Sequence, residues 1–296
     1  MTTQHEDDYR RRVADVGATR FLPGSTVEVV HEVRLAALPK FAVFDFDGTL
    51  SLVREGWPEV MVPMMVEELA ATGTSESPED LAGIARGFVN ELTGKQTIYQ
   101  MIRLAEEIEK RGGRPRVPVA YKHRYNDLLM ERITGRREAL RAGTRQAEEM
   151  LVPCSVEILR ALRDRGVSLY LASGTDESFV REEAELLGLD RFFGPHIYGA
   201  LDNYKDFSKA MVIERILREN HVEGSRLVGF GDGYVEIDNI KSAGGTAVAV
   251  ASDEAARSGK PDPWKRDRLI GVGADVVIPD FRDYEILLEY LWRENG

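Results

Sequence analysis

The sequence is poor in several features that mark large protein classes. Only one of its 296 residues is a cysteine, Cys154, so neither an internal disulfide nor a cysteine-based zinc site is available. We therefore expect a reducing, cytoplasmic setting. No window approaches the ~18 uninterrupted apolar residues of a membrane-spanning helix. The polar N-terminus also lacks the apolar stretch of a signal peptide, so we expect no membrane association.

Positive charge is also in deficit. The chain has 39 Lys and Arg against 50 Asp and Glu, which gives a net charge of −11. Such a chain repels nucleic acids and acidic membrane surfaces at long range, so we expect neither as a partner. An anionic substrate would have to be captured by a local pocket of hydrogen-bond donors and metal. The composition leaves the oligomeric state open.

Several functional motifs are absent. A calcium-binding EF-hand starting at Asp45 would need glycine in sixth place and glutamate in twelfth, but glycine comes fourth and the twelfth residue is Gly56. The glycines of 229–233 do not match the dinucleotide pattern G-x-G-x-x-G. The patterns G-x-x-x-x-G-K-[ST], G-x-S-x-G and H-E-x-x-H do not occur. These absences argue against nucleotide-binding loops, serine hydrolases and zinc proteases.

The elements that are present predict a split α/β protein of about two domains. Phe41 to Phe46 is a short apolar run, typical of a buried parallel strand. Residues 52–153 have helical spacing, beginning with Ser77 as a helix cap, and contain no convincing strand. After Pro153 strands and helices alternate, which predicts right-handed βαβ units and a parallel sheet covered on both faces. The predicted strands there are 167–172, 227–230, 246–251 and 274–278, and the predicted helices are 156–165, 177–187, 208–220 and 284–292.

The resulting domain boundaries are a core of 41–51 and 154–296, interrupted by a helical domain at 52–153. Residues 1–40 are an N-terminal extension of uncertain order, in which Thr26 to Val33 is an extra strand or a short amphipathic segment. Residues 258–266 are predicted to be a long loop near the site rim.

Two carboxylates follow the first core strand. Ligands of an open parallel sheet bind beyond the carboxyl ends of its strands. Side chains alternate along an extended chain, so Asp45 and Asp47 project the same way. Carboxylates this close repel unless a cation lies between them or one stays protonated, which indicates a hard metal such as Mg²⁺. Asp and Gly are also typical of an ordinary strand-to-turn junction, so that interpretation stays open.

Other strand ends carry further oxygen donors. Ser173 and Gly174 follow the second core strand and could cradle a phosphate, although such residues are also common in turns. Asp232 follows the strand at 227–230 and would be a third carboxylate. Glu236 lies one helical turn further on, whereas Asp238 is expected to face away.

A cation is needed to balance these carboxylates. Lys209 stands in the first turn of the helix that begins at Ser208, beside the carboxyl edge of the sheet, and we prefer it to Lys205. A solvated surface lysine is the open alternative for each. In the helical domain, Lys95 and Gln96 form a polar patch that we expect to contact the substrate, and a helix cap is the other interpretation.

Taken in order, these residues resemble the four motifs of the haloacid dehalogenase (HAD) superfamily. The motifs are Asp45-x-Asp47-Gly48-Thr49, Ser173-Gly174-Thr175, Lys209 and Gly231-Asp232, and the resemblance covers residues 40 to 295. It implies a Rossmann-like core with a helical cap between motifs one and two. The family's fourth motif usually carries a second Asp four or five residues after the first, and here Glu236 stands in that place.

The resemblance implies phosphoryl transfer through an aspartyl-phosphate. Asp45 would be the nucleophile and Asp47 the general acid and base. Asp45, the backbone carbonyl of Asp47, and Asp232 would hold Mg²⁺, with Glu236 as a further ligand. Ser173, the N–H of Gly174, and Lys209 would bind and neutralise the phosphoryl group. Such a set suits phosphoryl transfer, which mainly needs positioning and charge neutralisation.

The expected function is thus a Mg²⁺-dependent phosphatase that hydrolyses a small phosphate monoester, such as a sugar phosphate. A phosphomutase of the same superfamily and a catalytically silent HAD-like binding domain are the alternatives. The sequence leaves the identity of the substrate open.

Overall fold

A computed structural model describes residues 12–13, 15–33 and 37–293 of the chain. Part of the predicted N-terminal extension (residues 1–11, 14 and 34–36) lies outside the described residues, as do residues 294–296. None of the helices in the described ranges is both long and apolar enough to cross a membrane.

One eight-stranded sheet organises the described residues. Its strands, in spatial order, are β1, β2, β8, β7, β6, β3, β4 and β5. Strands β3 to β8 are parallel to their neighbours, and the short β1–β2 hairpin adds to β8 in the antiparallel direction. The strands are β1 Arg20–Phe21, β2 Glu28–Val29, β3 Phe41–Phe44, β4 Ser168–Asp176, β5 Ile197–Ala200, β6 Leu227–Gly231, β7 Thr246–Val250 and β8 Val276–Ile278.

Helices cover both faces of this sheet, as strand alternation requires. Ala42 and Phe44 of β3 belong to one apolar cluster, whereas Phe41 and Val43 belong to the cluster on the opposite face. The helices are α1 Pro58–Ala70, α2 Pro78–Leu92, α3 Thr97–Lys110, α4 Pro118–Arg141, α5 Ser155–Asp164, α6 Glu177–Leu186, α7 Asp190–Phe193, α8 Lys209–Asn220, α9 Tyr234–Ser242, α10 Pro263–Val272 and α11 Tyr284–Trp292. The predicted α/β class and its Rossmann-like core are confirmed.

The residues between β3 and β4 contain α1 to α5, of which α1 to α4 lie within the predicted helical stretch 52–153. α2 starts at a capping box in which Ser77 and Asp80 bond each other's backbone N–H groups. The predicted helical character of this stretch is thus confirmed, while the domain boundaries at 41–51, 52–153 and 154–296 stay a prediction.

Three local predictions were wrong or incomplete. The predicted strand ends at residue 172, whereas β4 continues to Asp176, so Ser173 to Thr175 extend the strand. Residues 258–266 are not all loop, because Pro263 starts α10 after the N-cap Asp262. β1, β5, α7 and α9 were not predicted. Pro263 at the start of α10 and the sequence Gly231-Asp232-Gly233 before α9 are also typical of turns. Local sequence alone therefore does not distinguish a turn from the start of a helix at these two places.

Candidate active site

The carboxyl ends of β3, β4, β6 and β7 meet at one edge of the sheet. Beyond them, α1 to α4 and their loops cover a cavity of about 100 Å³. The structure brings most of the sequence-predicted residues to its wall. The lining includes Asp45, Asp47, Gly48, Arg54, Trp57, Lys95, Tyr125, Ser173, Gly174, Thr175, Lys209, Asp232 and Glu254.

Asp45 is buried and paired with a lysine. Lys209 Nζ lies 2.9 Å from Asp45 Oδ1 and also contacts the Glu236 carboxylate. Burial raises the pKa of Asp45, the Lys209 ammonium lowers it, and the nearby Asp232 raises it. Lys205 is exposed and its ammonium lies over the Tyr204 ring. The geometry therefore favours Lys209 over Lys205 as the lysine of this site.

The two oxygens of Asp47 are in different environments. Thr175 Oγ1 donates to Asp47 Oδ2 at 2.7 Å, and Ser173 Oγ lies 3.5 Å from the same oxygen. Asp47 Oδ1 is buried and has no hydrogen-bond donor among the described residues. Burial raises the pKa of Asp47 to about 7, although the Arg54 guanidinium lowers it. Thr175 thus holds Oδ2, while Oδ1 is almost inaccessible to solvent and lies near the Arg54 guanidinium.

A buried ion pair between Arg54 and Glu183 lies next to Asp47. Arg54 donates from Nε and Nη2 to the two carboxylate oxygens of Glu183, at 3.0 and 2.8 Å, and both side chains are buried. Arg54 Nε is 3.8 Å from Asp47 Oδ1. Sequence analysis did not identify Glu183, because it lies within α6 and outside every motif.

Asp232 is held by residues of two other chain segments. Its backbone N–H donates to Thr49 Oγ1 at 3.0 Å. Lys265 Nζ lies 2.7 Å from Asp232 Oδ2 and 2.6 Å from Glu254 Oε1. A Cβ on Gly48, which has a φ of +72°, would lie only 2.2 Å from Asp232 Oδ2. Only glycine therefore fits position 48, and Lys265 and Glu254 are further site residues that sequence analysis missed.

Two expected site residues point elsewhere. Glu236 is buried against Lys209 and does not line the cavity, and its role as a metal ligand stays a prediction. Gln96 is also turned away, because its Nε2 donates to the backbone oxygen of Phe207 at 2.8 Å. Lys95 does line the cavity, with its ammonium 5.9 Å from the centre of the Tyr99 ring.

Asp238, two residues after Glu236, has the expected orientation. Asp238 Oδ1 accepts from Arg12 Nη2 at 2.7 Å on the outside of α9. Its side chain is 38% exposed, so Asp238 faces away from the cavity, as predicted.

The donor set suits a Mg²⁺ ion. Asp45 and Asp232 present carboxylates to one cavity, and carboxylate oxygens are the hard ligands that Mg²⁺ prefers. The charge of Asp232 raises the pKa of Asp45, a mutual repulsion that a cation would relieve. Among the described residues no three His, Cys, Asp or Glu side chains are arranged to hold a metal. Two carboxylates, with backbone and water oxygens completing the shell, are consistent with the way Mg²⁺ binds.

Comparisons with known proteins agree with this fold. A family model described as a hydrolase, haloacid dehalogenase-like hydrolase, matches residues 39–244. No curated protein matches the sequence significantly.

Solved structures of the same fold include a haloacid dehalogenase-like protein of unknown function from Agrobacterium tumefaciens. It is 17% identical, covers 86% of this chain and 100% of its own, and has a TM-score of 0.55. A predicted phosphatase from Clostridium acetobutylicum is 16% identical over 86% of this chain and 100% of its own, with a TM-score of 0.55. A beta-phosphoglucomutase from Clostridium difficile is 12% identical, covers 86% of this chain and 97% of its own, and has a TM-score of 0.55. At these identities the likeness concerns the fold.

Proposed function

This chain belongs to the haloacid dehalogenase-like hydrolase family, and on that basis we propose that it is a Mg²⁺-dependent phosphatase of small phosphate monoesters. The observation that carries the proposal is the contrast between two neighbouring carboxylates. Asp45 is paired with Lys209, whereas Asp47 is held at one oxygen by Thr175 and leaves the other oxygen without a donor. The first arrangement suits a nucleophile and the second a proton carrier.

In the first step Asp45 attacks phosphorus, and the bond from phosphorus to the leaving oxygen breaks. Asp47 gives its proton to that oxygen, so the leaving group departs as a neutral alcohol. In the second step a water attacks the aspartyl-phosphate and gives a proton to Asp47. The bond from phosphorus to Asp45 then breaks and inorganic phosphate is released. Asp47 is thereby returned to its protonated form.

Charge neutralisation comes from Lys209, and Asp45 and Asp232 would hold a Mg²⁺ ion. When bound, the ion would offset the charge of the phosphoryl oxygens. Ser173 and the N–H of Gly174 supply hydrogen-bond donors to those oxygens. A Cβ on Gly174 would lie 3.0 Å from the backbone oxygen of Lys95, so glycine allows the loop before α3 to approach closely.

The size of the cavity supports a small substrate. A volume of about 100 Å³ under α1, α3 and α4 leaves room for a phosphoryl group and a compact leaving group. Lys95 is the cap residue that we propose to contact the leaving group, and Gln96 is not. The single cysteine, Cys154, is free, which suits a cytoplasmic enzyme.

A panel of phosphate monoesters, assayed for released phosphate with Mg²⁺ and with a chelator, tests the proposal. We expect turnover that requires Mg²⁺ and that Asp45→Asn abolishes, because an amide does not attack phosphorus. Circular dichroism confirms that the variant is folded, and Arg103→Gln on the surface of α3 is a control that keeps its activity. Wild-type turnover by Asp45→Asn would rule out the covalent mechanism. An isomerised substrate without phosphate release would identify a phosphomutase, and no turnover across the panel would favour a silent binding domain.

A further inference from the structure

A lysine lies among three oxygen atoms at the wall of the cavity. Lys265 Nζ is 2.7 Å from Asp232 Oδ2, 2.6 Å from Glu254 Oε1 and 3.1 Å from Ser252 Oγ. The side chains of Lys265 and Asp232 are each 12% exposed, and that of Glu254 is 21% exposed. The ammonium is therefore held in an oxygen cluster that is mostly shielded from water.

This oxygen cluster, formed by Asp232, Glu254 and Ser252, is in contact with the loop that follows β3. Ser252 Oγ donates to the backbone oxygen of Gly48 at 2.6 Å. A Cβ on Gly48 would lie 3.0 Å from Glu254 Oε1 as well as against Asp232. The cluster is thus part of the catalytic wall and is not a surface ion pair remote from it.

The start of α10 places the Lys265 ammonium in this oxygen cluster. The N-cap Asp262 accepts from the backbone N–H of Lys265 at 2.8 Å, which fixes the lysine in the first turn of α10. Ser252 and Glu254 follow the end of β7. Two carboxylates buried side by side repel each other unless a cation lies between them. Burial and the charge of Asp232 raise the pKa of Glu254, and the Lys265 ammonium opposes both.

We propose that Lys265 is a tethered cation that fills a second cation position of the site, formed by Asp232 Oδ2, Glu254 Oε1 and Ser252 Oγ. Carboxylate and hydroxyl oxygens are also the ligands of hard divalent ions. Because the ammonium already occupies them, the site accepts a single divalent ion. The inference rests on the proposed function in one respect only, namely that Asp45 and Asp232 bind that single divalent ion.

Counting bound ions without substrate tests this role. Mn²⁺ serves as the probe, since the free ion has an electron paramagnetic resonance signal that disappears on binding. We expect one ion per chain for the wild type and two for Lys265→Ala, because that variant lacks the ammonium that occupies the oxygen cluster. Lys265→Arg keeps the charge and should bind one ion. Lys241→Ala removes a lysine that pairs with Asp275 away from the cavity, and it should also bind one.

A double variant locates the second ion. Lys265→Ala with Glu254→Gln removes one carboxylate of the cluster and should return the count to one. If Lys265→Ala does not fold, Lys265→Gln removes the charge but keeps a hydrogen-bonding amide, and it should gain the second ion. A folded Lys265→Ala or Lys265→Gln variant that binds as many ions as the wild type would overturn the inference. A wild type that binds no Mn²⁺ contradicts the metal part of the proposed function, whereas a gain of one ion by Lys265→Ala would still support the tethered cation.

Discussion

At the scale of single residues, Thr175 fixes the orientation of the Asp47 carboxylate. Its hydroxyl donates to Oδ2 at 2.7 Å, and Ser173 is the next donor at 3.5 Å. A proton carrier works only when its free oxygen is directed at the reacting group. The threonine is therefore a positioning residue, whose effect should appear in the rate of the chemical step.

We expect Thr175→Val to lower kcat about 10- to 100-fold, within the contribution of general acid–base catalysis, and to change KM little. Thr175→Ser keeps the hydroxyl and should retain most of the activity. Steady-state kinetics with an alkyl phosphate measures both. Thr134→Val, which removes a hydroxyl bonded to the Met130 backbone oxygen, is the matched control. Equal kcat in Thr175→Val and the wild type would show that Asp47 does not need this donor.

The same burial that suits Asp47 for proton transfer destabilises the fold. The pKa of Asp47 is raised from 3.8 to about 7, so its carboxyl binds a proton more tightly in the folded state. Stability is therefore lost as the pH rises from about 4 to about 7 and stays lost above that range.

Asp47→Asn does not titrate, so it should be more stable than the wild type at pH 8, by at most about 4 kcal/mol. The difference should shrink towards pH 5. Urea unfolding at the two pH values, with a chelator present, measures the free energy of unfolding without metal binding. A wild type as stable as Asp47→Asn at pH 8 would contradict the raised pKa.

At the scale of elements, the start of α8 decides which lysine reaches the nucleophile. Ser208 caps the helix by accepting from the Met211 N–H at 3.1 Å, which places Lys209 in the first turn and buries its side chain. Lys205 belongs to the exposed segment before the helix. A buried ammonium at 2.9 Å from Asp45 stabilises charge far more than a solvated one does.

Lys209→Ala should therefore lose roughly 100-fold or more in kcat/KM, whereas Lys205→Ala should stay close to the wild type. Lys209→Arg tests whether charge alone is sufficient. The assay is phosphate release at saturating Mg²⁺, with circular dichroism to compare folding. The reverse order of the two alanine variants would move the assignment to Lys205.

At the scale of the whole molecule, buried polar contacts attach α4 to the end of β4. Lys122 of α4 pairs with Asp176 at the end of β4, and Asn126 Nδ2 donates to the other Asp176 oxygen at 3.0 Å. Lys122 is only 3% exposed. Removing one member of such a pair leaves an uncompensated buried charge.

Lys122→Met should lower the free energy of unfolding by about 3 kcal/mol or more. Arg103→Met removes an exposed pair with Glu106 and should cost less than about 1 kcal/mol. Urea unfolding of both variants at pH 7 gives the comparison. A cost for Lys122→Met no larger than that of Arg103→Met would mean that water reaches Asp176.

Much of this protein is determined by local sequence. The apolar run before Asp45, the capping signals near Ser77 and the alternation after Pro153 each reflect the side-chain period of one element, and they predicted the α/β class and the helical stretch. Parallel strands bring their carboxyl ends to one edge, so Asp45, Asp47, Ser173, Lys209 and Asp232 were predictable as neighbours.

Only the tertiary structure decided which side chains pair across the site. Lys265 reaches Asp232 from 33 residues away, and Arg54 reaches Glu183 from 129 residues away. Gln96 turns to the Phe207 backbone while its neighbour Lys95 lines the cavity. The physical reason is that periodicity reports the face of an element, whereas the partner of a buried charge depends on which distant segment the topology places within hydrogen-bond distance.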